Sequence, residues 1–158
     1  MKPHLQSLVV ANQVFQDKLS NNFVIAGTFN TLRVRQNLPV QVASPVEEAV
    51  KPQRKWTSLL RSAGNPWIFF SVTDIVGKVQ CSIRYVYLKD YQVLFSTAFT
   101  IESNDRLATL ESRLELPVLP IVGLGQYSLE FLADDEMIGS LRIMAVPDES
   151  ETGEAKNE

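Results

Sequence analysis

The chain has 158 residues, of which 45% are hydrophobic, and these values predict one folded domain with a core of its own. The formal net charge is -3 and the isoelectric point is about 5.2, which disfavours attraction of the whole protein to nucleic acid or to an anionic membrane. Cys81 is the only cysteine, so an intramolecular disulfide is excluded and a reducing compartment is favoured.

The N-terminal region lacks the pattern of a secretory signal. Its apolar run covers only residues 8–11, whereas a signal needs about 7–15 apolar residues. No stretch approaches the roughly 20 apolar residues of a membrane-spanning helix. We therefore expect a cytoplasmic protein without membrane contact.

Alternating apolar residues predict that the chain begins with a β-hairpin. Residues 5–15 form the first predicted strand, and the polar residues 17–22 form a turn. A second strand is predicted over residues 23–34, where Phe23, Ile25, Gly27 and Phe29 occupy alternate positions.

Residues 35–65 interrupt this pattern and form a long excursion. The segment contains three prolines, which disfavour a central strand because proline lacks a backbone donor. Trp56, Leu59 and Leu60 have the spacing of a short amphipathic helix over residues 53–62, which Gly64 would end.

From Pro66 the strand pattern resumes and continues to Pro147. Residues 67–75 are typical of a strand buried on both faces, and residues 79–87 and 93–101 alternate regularly. Leu114 and Leu116 indicate a further strand. The chain then closes with a hairpin over residues 125–147, in which Tyr127 is predicted to face the core.

These elements predict an all-β fold, an antiparallel two-sheet sandwich of immunoglobulin-like or C2-like type. We count seven or eight strands and one short helix in the long loop. The domain is expected to cover residues 1–147. Residues 148–158 lack apolar periodicity and carry five acidic residues against one lysine, which predicts a disordered acidic tail.

Two segments carry a resemblance to a known family. The opening strand, turn and Gly27-Thr28-Phe29, and the closing strand that starts with Gly125-Gln126-Tyr127, are similar to a bacterial family of small β-sandwich proteins. That family is catalogued only as a domain of unknown function. The resemblance covers most of the chain except residues 35–65. It implies the sandwich fold and no activity.

The inventory of reactive side chains argues against catalysis. His4 and Cys81 are the only histidine and the only cysteine, which leaves too few residues for a zinc site. The sequence has neither a nucleophile elbow nor a glycine-rich phosphate loop. We expect no enzyme and no cofactor, and Cys81 is in phase with buried neighbours.

Acidic turns suggest an alternative function. If alternate loops fall at the same end of the sandwich, carboxylates from four turns meet there, at Asp17, Asp74, residues 102–105 and residues 134–136. Clustered carboxylates bind calcium in C2-like domains, although Asp is also a common turn residue in solvated loops.

The excursion carries the candidate partner-binding residues. Cations there lie close to tryptophans, a combination that occurs at protein interfaces and in nucleic-acid sites. The alternative is that both tryptophans belong to the core. The candidates are Arg54, Lys55, Trp56, Arg61 and Trp67.

Two function classes therefore follow from the sequence. The first is a non-catalytic module that binds or assembles with a protein, because sandwiches expose edge strands that must be covered or used. The second is a calcium- or small-ligand-binding domain that uses the acidic loops, or an unrecognised enzyme. No nucleic-acid partner is expected.

Overall fold

The described residues contain ten β-strands in two sheets that pack face to face, which confirms the predicted all-β sandwich. The computed structural model describes residues 2–37, 55–58 and 65–149. Within those residues there is no helix that is long and apolar enough to cross a bilayer. The strands are β1 (His4–Gln16), β2 (Phe23–Thr28), β3 (Thr31–Asn37), β4 (Lys55–Ser58), β5 (Trp67–Thr73), β6 (Gly77–Tyr87), β7 (Gln92–Ser103), β8 (Leu110–Glu115), β9 (Gly125–Ala133) and β10 (Glu136–Pro147).

The smaller sheet has four antiparallel strands in the order β2-β1-β5-β8. Its centre is β5, which pairs with β1 on one side and with β8 on the other. All five interior residues of β5 are buried, as the continuous apolar run predicted. Four of these five residues are apolar and the fifth is Ser71, a composition that is typical of a strand covered on both faces.

The larger sheet has six strands in the order β4-β3-β10-β9-β6-β7. Its best-defined hairpin joins β9 to β10 through Asp134 and Asp135, whose φ angles are 47° and 65°. A two-residue turn with positive φ at both positions matches the twist of the flanking strands, and Asp tolerates that conformation better than most residues. The predicted closing hairpin is therefore confirmed.

The main core lies between the sheets and is rich in aromatic residues. Tyr127 is fully buried, as predicted, and its ring stacks on Tyr85 at 5.1 Å between centroids. The Tyr127 hydroxyl donates to the carbonyl of Gly123 (2.6 Å) and accepts from the amides of Val122 and Gly123 (both 3.1 Å). These three bonds hold the segment that leads into β9 against the core.

The predicted second strand is in fact two strands, β2 and β3. β2 pairs with β1, whereas β3 crosses to the other sheet and pairs in parallel with β10. The apolar positions change phase at the crossing, from the odd-numbered Phe29 to the even-numbered Leu32 and Val34, all of which contact the main core. This change of phase is the sequence signal of the break, and the prediction of a single strand overlooked it.

The short helix predicted over residues 53–62 is wrong where the structure describes the segment. Lys55–Ser58 is a strand, β4, whose backbone pairs with residues 34–37 of β3. Strand pairing stabilises this backbone more than the helical spacing of a few apolar residues could, since an isolated short helix is marginal. The other residues of the predicted helix lie outside the described residues.

The face of β9 that points away from the main core is buried as well. Ser128, Glu130 and Leu132 alternate with the core residues, yet all three are buried. β9 lies between β10 and β6, so side chains of the neighbouring strands cover it. The Arg84 guanidinium, for example, lies 2.8 Å from the Glu130 carboxylate.

The domain continues slightly past the expected boundary at Pro147. The Asp148 amide donates to the carbonyl of Val34 (3.1 Å), and its carboxylate pairs with Arg35 at 3.0 Å. Asp148 is thus attached to β3. The rest of the predicted tail, residues 150–158, lies outside the described residues.

Candidate partner-binding surfaces

The candidate residues of the excursion are only partly described. Arg54 and Arg61 lie outside the described residues. The backbone of Lys55 and Trp56 belongs to β4, where they pair with Asn37 and Gln36, at one edge of the larger sheet. Their role in partner binding stays a prediction.

Trp67 is half-buried and belongs to a second, smaller apolar cluster. Phe69 alternates along β5 with Ile68 and Phe70 of the main core, so this cluster lies on the opposite face of the smaller sheet. The Phe69 ring is 5.2 Å from that of Phe23, which β2 contributes. The cluster, called here the outer cluster, consists of Val9, Ala11, Val14, Phe23, Ile25, Trp67 and Phe69.

Arg113 of β8 covers Trp67. Its guanidinium carbon lies 4.9 Å from the centroid of the indole, and its Nη1 donates to the carbonyl of Val14. This single side chain therefore ties β8, β5 and β1 together across the outer cluster. Trp67 has a packing role here, and its additional role at a partner interface stays a prediction.

Three of the four acidic turns do meet at one end of the sandwich, but the Asp17 turn lies at the other. The register of β1 with β5 pairs His4 with Thr73 and Ala11 with Trp67, so β1 ends beyond the start of β5. The turn after Gln16 therefore lies at the opposite end of the sandwich, where β3 ends and β5 begins. The prediction was wrong because dividing one expected strand into β2 and β3 reverses the chain once more.

The remaining carboxylates of the acidic end have other partners. Asp74 lies 3.3 Å from Arg106, Glu136 pairs with Lys2, and Asp134 accepts from the amide of Gln80 at 3.2 Å. Among the described residues, no group of three or more His, Cys, Asp or Glu is placed to hold a metal ion.

The two reactive side chains of the sequence are far from forming a catalytic pair. His4 is exposed on β1 in the smaller sheet, whereas Cys81 is buried on β6 in the larger sheet, as its phase predicted. Burial and the nearby negative charge of Asp134 raise the pKa of the Cys81 thiol to about 11. The thiol is therefore protonated at neutral pH and is a poor nucleophile.

A cleft of about 340 Å³ opens between the sheets beside the crossing from β2 to β3. Leu8, Val10 and Leu141 give it apolar walls, and Asn30 and Arg142 supply polar groups. Its volume is at the low end of the range for small-molecule sites.

The most unusual surface is the outer edge of β7, where the larger sheet ends without a further partner among the described strands. From Gln92 to Ile101 the strand contains no charged residue, no proline and no glycine. One irregularity occurs between Val93 and Phe95, where the pairing with β6 skips Leu94. The strand is regular from Phe95 onward.

Hydrogen bonds of β6 show which of its residues face which neighbour. The amide of Asp134 donates to the carbonyl of Gln80, and the amide of Leu88 donates to the carbonyl of Gln126. Even-numbered residues of β6 are therefore bonded to the β9 side. Because backbone groups alternate along a strand, the odd-numbered residues of β6 are bonded to β7.

The same alternation defines the open edge of β7. The partners of those odd-numbered residues are themselves odd-numbered, at Phe95, Thr97, Phe99 and Ile101. The N–H and C=O groups of the even-numbered residues between Phe95 and Ile101 consequently point away from β6, to the outside. The side chains of these even-numbered residues are exposed on the outer face of the sheet.

Sequence reasoning recognised β7 as a strand but not as an open edge. A signal was present, because a strand with no charge over ten residues is unprotected if it lies at an edge. β5 has an equally uncharged run and lies in the middle of its sheet. Only the strand order distinguishes the two.

No protein-family model matches the chain, and no curated protein is similar to it. The resemblance to a bacterial family of small sandwich proteins stays a prediction.

Proposed function

We propose that the protein is a non-catalytic β-sandwich module that binds or assembles with another protein chain. The open edge of β7 carries this proposal. It offers a regular row of backbone N–H and C=O groups, without charge or proline, from Phe95 to Ile101. An added strand uses such groups to extend a sheet, and the exposed side chains next to them give specificity.

The other sheet edges of the described sandwich have features that hinder strand addition. β8 carries Glu111, Arg113 and Glu115 on its exposed side, and charges protect an edge. β2 contains Gly27 at a φ of 71°, which interrupts regular extended backbone. β4 has four residues within the described part of the chain. The contrast supports β7 as the edge that is used.

The surroundings of Cys81 and His4 support a non-catalytic role. Neither can activate the other from opposite sheets, and a nucleophile with a raised pKa works against catalysis at neutral pH. We also propose a cytoplasmic location, since a lone buried thiol suits a reducing compartment.

A small-ligand-binding domain is the second candidate, and the cleft beside Leu8 and Leu141 is the observation that favours it. It is the weaker candidate because the cleft is small and open. A metabolite retained at stoichiometric level by the purified protein would support it.

The test is affinity purification from native cells with and without a change at the open edge. Ala98→Pro removes an outward N–H while leaving the bonds between β6 and β7 intact, because Ala98 does not donate to β6. We expect the variant to lose a protein that the wild type retains at stoichiometric level. Gln13→Lys is the control, since Gln13 is exposed on β1, away from β7.

Retention of the same protein by Ala98→Pro, with an unchanged melting temperature, would contradict binding through β7. Partner loss from both Ala98→Pro and Gln13→Lys would show that the effect is not specific to the edge.

A further inference from the structure

We propose that the strand added to β7 is β7 of a second copy of this chain, so that the protein forms a two-fold symmetric dimer. This inference rests on the proposed function and names its partner. The two-fold axis passes beside Thr97, and the two β7 strands pair antiparallel, so that the two larger sheets join into one continuous sheet.

The residue order of β7 supports pairing with itself. Antiparallel pairing about Thr97 places Phe95 opposite Phe99 of the partner subunit and Ser96 opposite the partner's Ala98. Aromatic side chains therefore meet aromatic ones, and small side chains meet small ones. A two-fold interface requires this self-complementarity, whereas a strand from an unrelated protein places no such demand on β7.

The hydrogen-bond pattern of β7 fits the same axis. Ser96 and Ala98 carry outward N–H and C=O groups, so each copy exchanges these bonds with the other. Thr97, Phe95 and Phe99 then occupy non-hydrogen-bonded pairs, in which Cα atoms lie about 4.5 Å apart and side chains are closest.

The aromatic side chains at this edge are incompletely covered within one chain. Phe95 stacks on Tyr85 at 5.4 Å, and Phe99 lies 5.4 Å from Phe70, yet both phenylalanines are only half-buried. The proposed pairing brings two phenylalanine pairs together at the edge of the core. Burying this apolar surface favours association.

Charges along the proposed contact are compatible with self-pairing. No charged residue occurs from Gln92 to Ile101, so no like charges face each other across the paired strands.

The first test is the mass in solution by sedimentation velocity over a broad range of protein concentration. We expect the wild type to reach twice the 17.7 kDa of one chain. Ser96→Lys with Ala98→Lys places like charges opposite each other in two symmetric pairs, and the dissociation constant should rise about tenfold or more.

A charge-complementary variant tests the register. Ser96→Glu with Ala98→Lys places the introduced carboxylate opposite the introduced ammonium of the other copy, so this variant should dimerise at least as well as the wild type. Gln13→Lys should also dimerise normally. Both side chains altered on β7 are exposed, so thermal unfolding should confirm that every variant is folded.

A cross-link gives an independent readout of the axis. Thr97→Cys should form a disulfide-linked dimer in air, because the two thiols face each other across the axis at a suitable distance. Ser96→Cys should not, since its opposite residue is the partner's Ala98. Both variants also contain Cys81, but it is buried and so does not explain a difference between them.

A wild type that stays monomeric at all concentrations would overturn the dimer, and so would a dimer that survives Ser96→Lys with Ala98→Lys. Equal weakening of the like-charge and charge-complementary variants would overturn the register about Thr97. If the chain is monomeric but Ala98→Pro still loses a different protein, the proposed binding function stands and only the dimer fails.

Discussion

Three neighbouring tyrosines in the main core differ in what surrounds their hydroxyl groups. Tyr127 makes three hydrogen bonds to the segment before β9, and Tyr87 makes one, to the carbonyl of Leu124 at 2.9 Å. The buried Tyr85 hydroxyl has no hydrogen-bond partner among the described residues. The same chemical change at each position should therefore have a different effect on stability.

We predict that Tyr127→Phe lowers the free energy of unfolding by about 1–3 kcal/mol, because it leaves backbone groups of Val122 and Gly123 without a partner. Tyr85→Phe should leave stability unchanged or raise it, since a buried hydroxyl without a partner is itself unfavourable. Urea unfolding of both variants measures the difference. A larger loss for Tyr85→Phe than for Tyr127→Phe would contradict this assignment.

Cys81 should be unreactive in the native protein. Burial, with the charge of Asp134, raises its pKa from 9.0 to about 11, so the native thiol stays protonated at pH 8. We predict that a disulfide reagent labels it only after unfolding in guanidinium. Labelling of the native protein at the rate of a free thiol would contradict its burial.

The same shift has a consequence for stability at high pH. Between about 9 and 11 the thiol ionises in the unfolded chain but not in the native one, so the unfolded state binds fewer protons. The contribution of Cys81 to the free energy of unfolding is fully present below pH 9 and is lost as the pH rises toward 11. In Cys81→Ala, the free energy of unfolding should therefore fall less between pH 9 and pH 11 than it does in the wild type.

Among the elements, the acidic turns should not form a calcium site. Asp74, Glu136 and Glu102 lie near Arg106, Lys2 and Lys78, and an ion would have to displace those cations. We predict that millimolar calcium leaves the melting temperature unchanged. Ligand binding to the native state would raise it.

The matched control for that prediction is Asp134→Asn with Asp135→Asn, which keeps the turn geometry because Asn also tolerates positive φ. A calcium-induced rise that this double variant abolishes would establish a site at the β9–β10 turn.

The excursion between β3 and β5 gives a second element-scale prediction. Arg54→Glu with Lys55→Glu should release a co-purifying protein if the basic residues near Trp56 bind it, because charge reversal at an interface opposes complementary charges. The control is Lys18→Glu with Arg33→Glu, both exposed outside this segment. If the folded charge-reversal variant still co-purifies with the same proteins as the wild type, Arg54 and Lys55 do not bind the partner.

How far the sequence predicts these elements depends on what each pattern can distinguish. Alternation identified β6, β9 and β10 and the inward direction of Tyr127, because one face of each contacts the core. The predicted single strand over residues 23–34 did not separate β2 from β3, although the apolar positions change from odd numbers at Phe29 to even numbers at Leu32. Alternation also could not show that β7 is an edge, because strand order depends on long-range pairing.

At the scale of the whole molecule, two apolar clusters should differ in their effect on unfolding. Ile143 is fully buried in the main core, opposite Tyr127, and Ile143→Ala should lower the free energy of unfolding by about 2–5 kcal/mol. Phe23 belongs to the outer cluster and lies at the start of β2.

We predict that Phe23→Ala raises amide hydrogen exchange mainly in the β1–β2 hairpin, because the main core does not depend on it. Ile143→Ala should raise exchange throughout both sheets. Equal acceleration throughout both sheets in Phe23→Ala would show that the outer cluster and the main core unfold as one unit.

The parallel pairing of β3 with β10 also has a consequence for synthesis on the ribosome. Thr31 of β3 pairs with Met144, which is translated long afterwards, so β3 emerges well before its partner in the sheet exists. Contacts between residues so far apart in sequence form slowly, and unpaired strands are prone to aggregate in the meantime. The β1–β2 hairpin can close early, whereas the larger sheet must wait until β10 has left the exit tunnel.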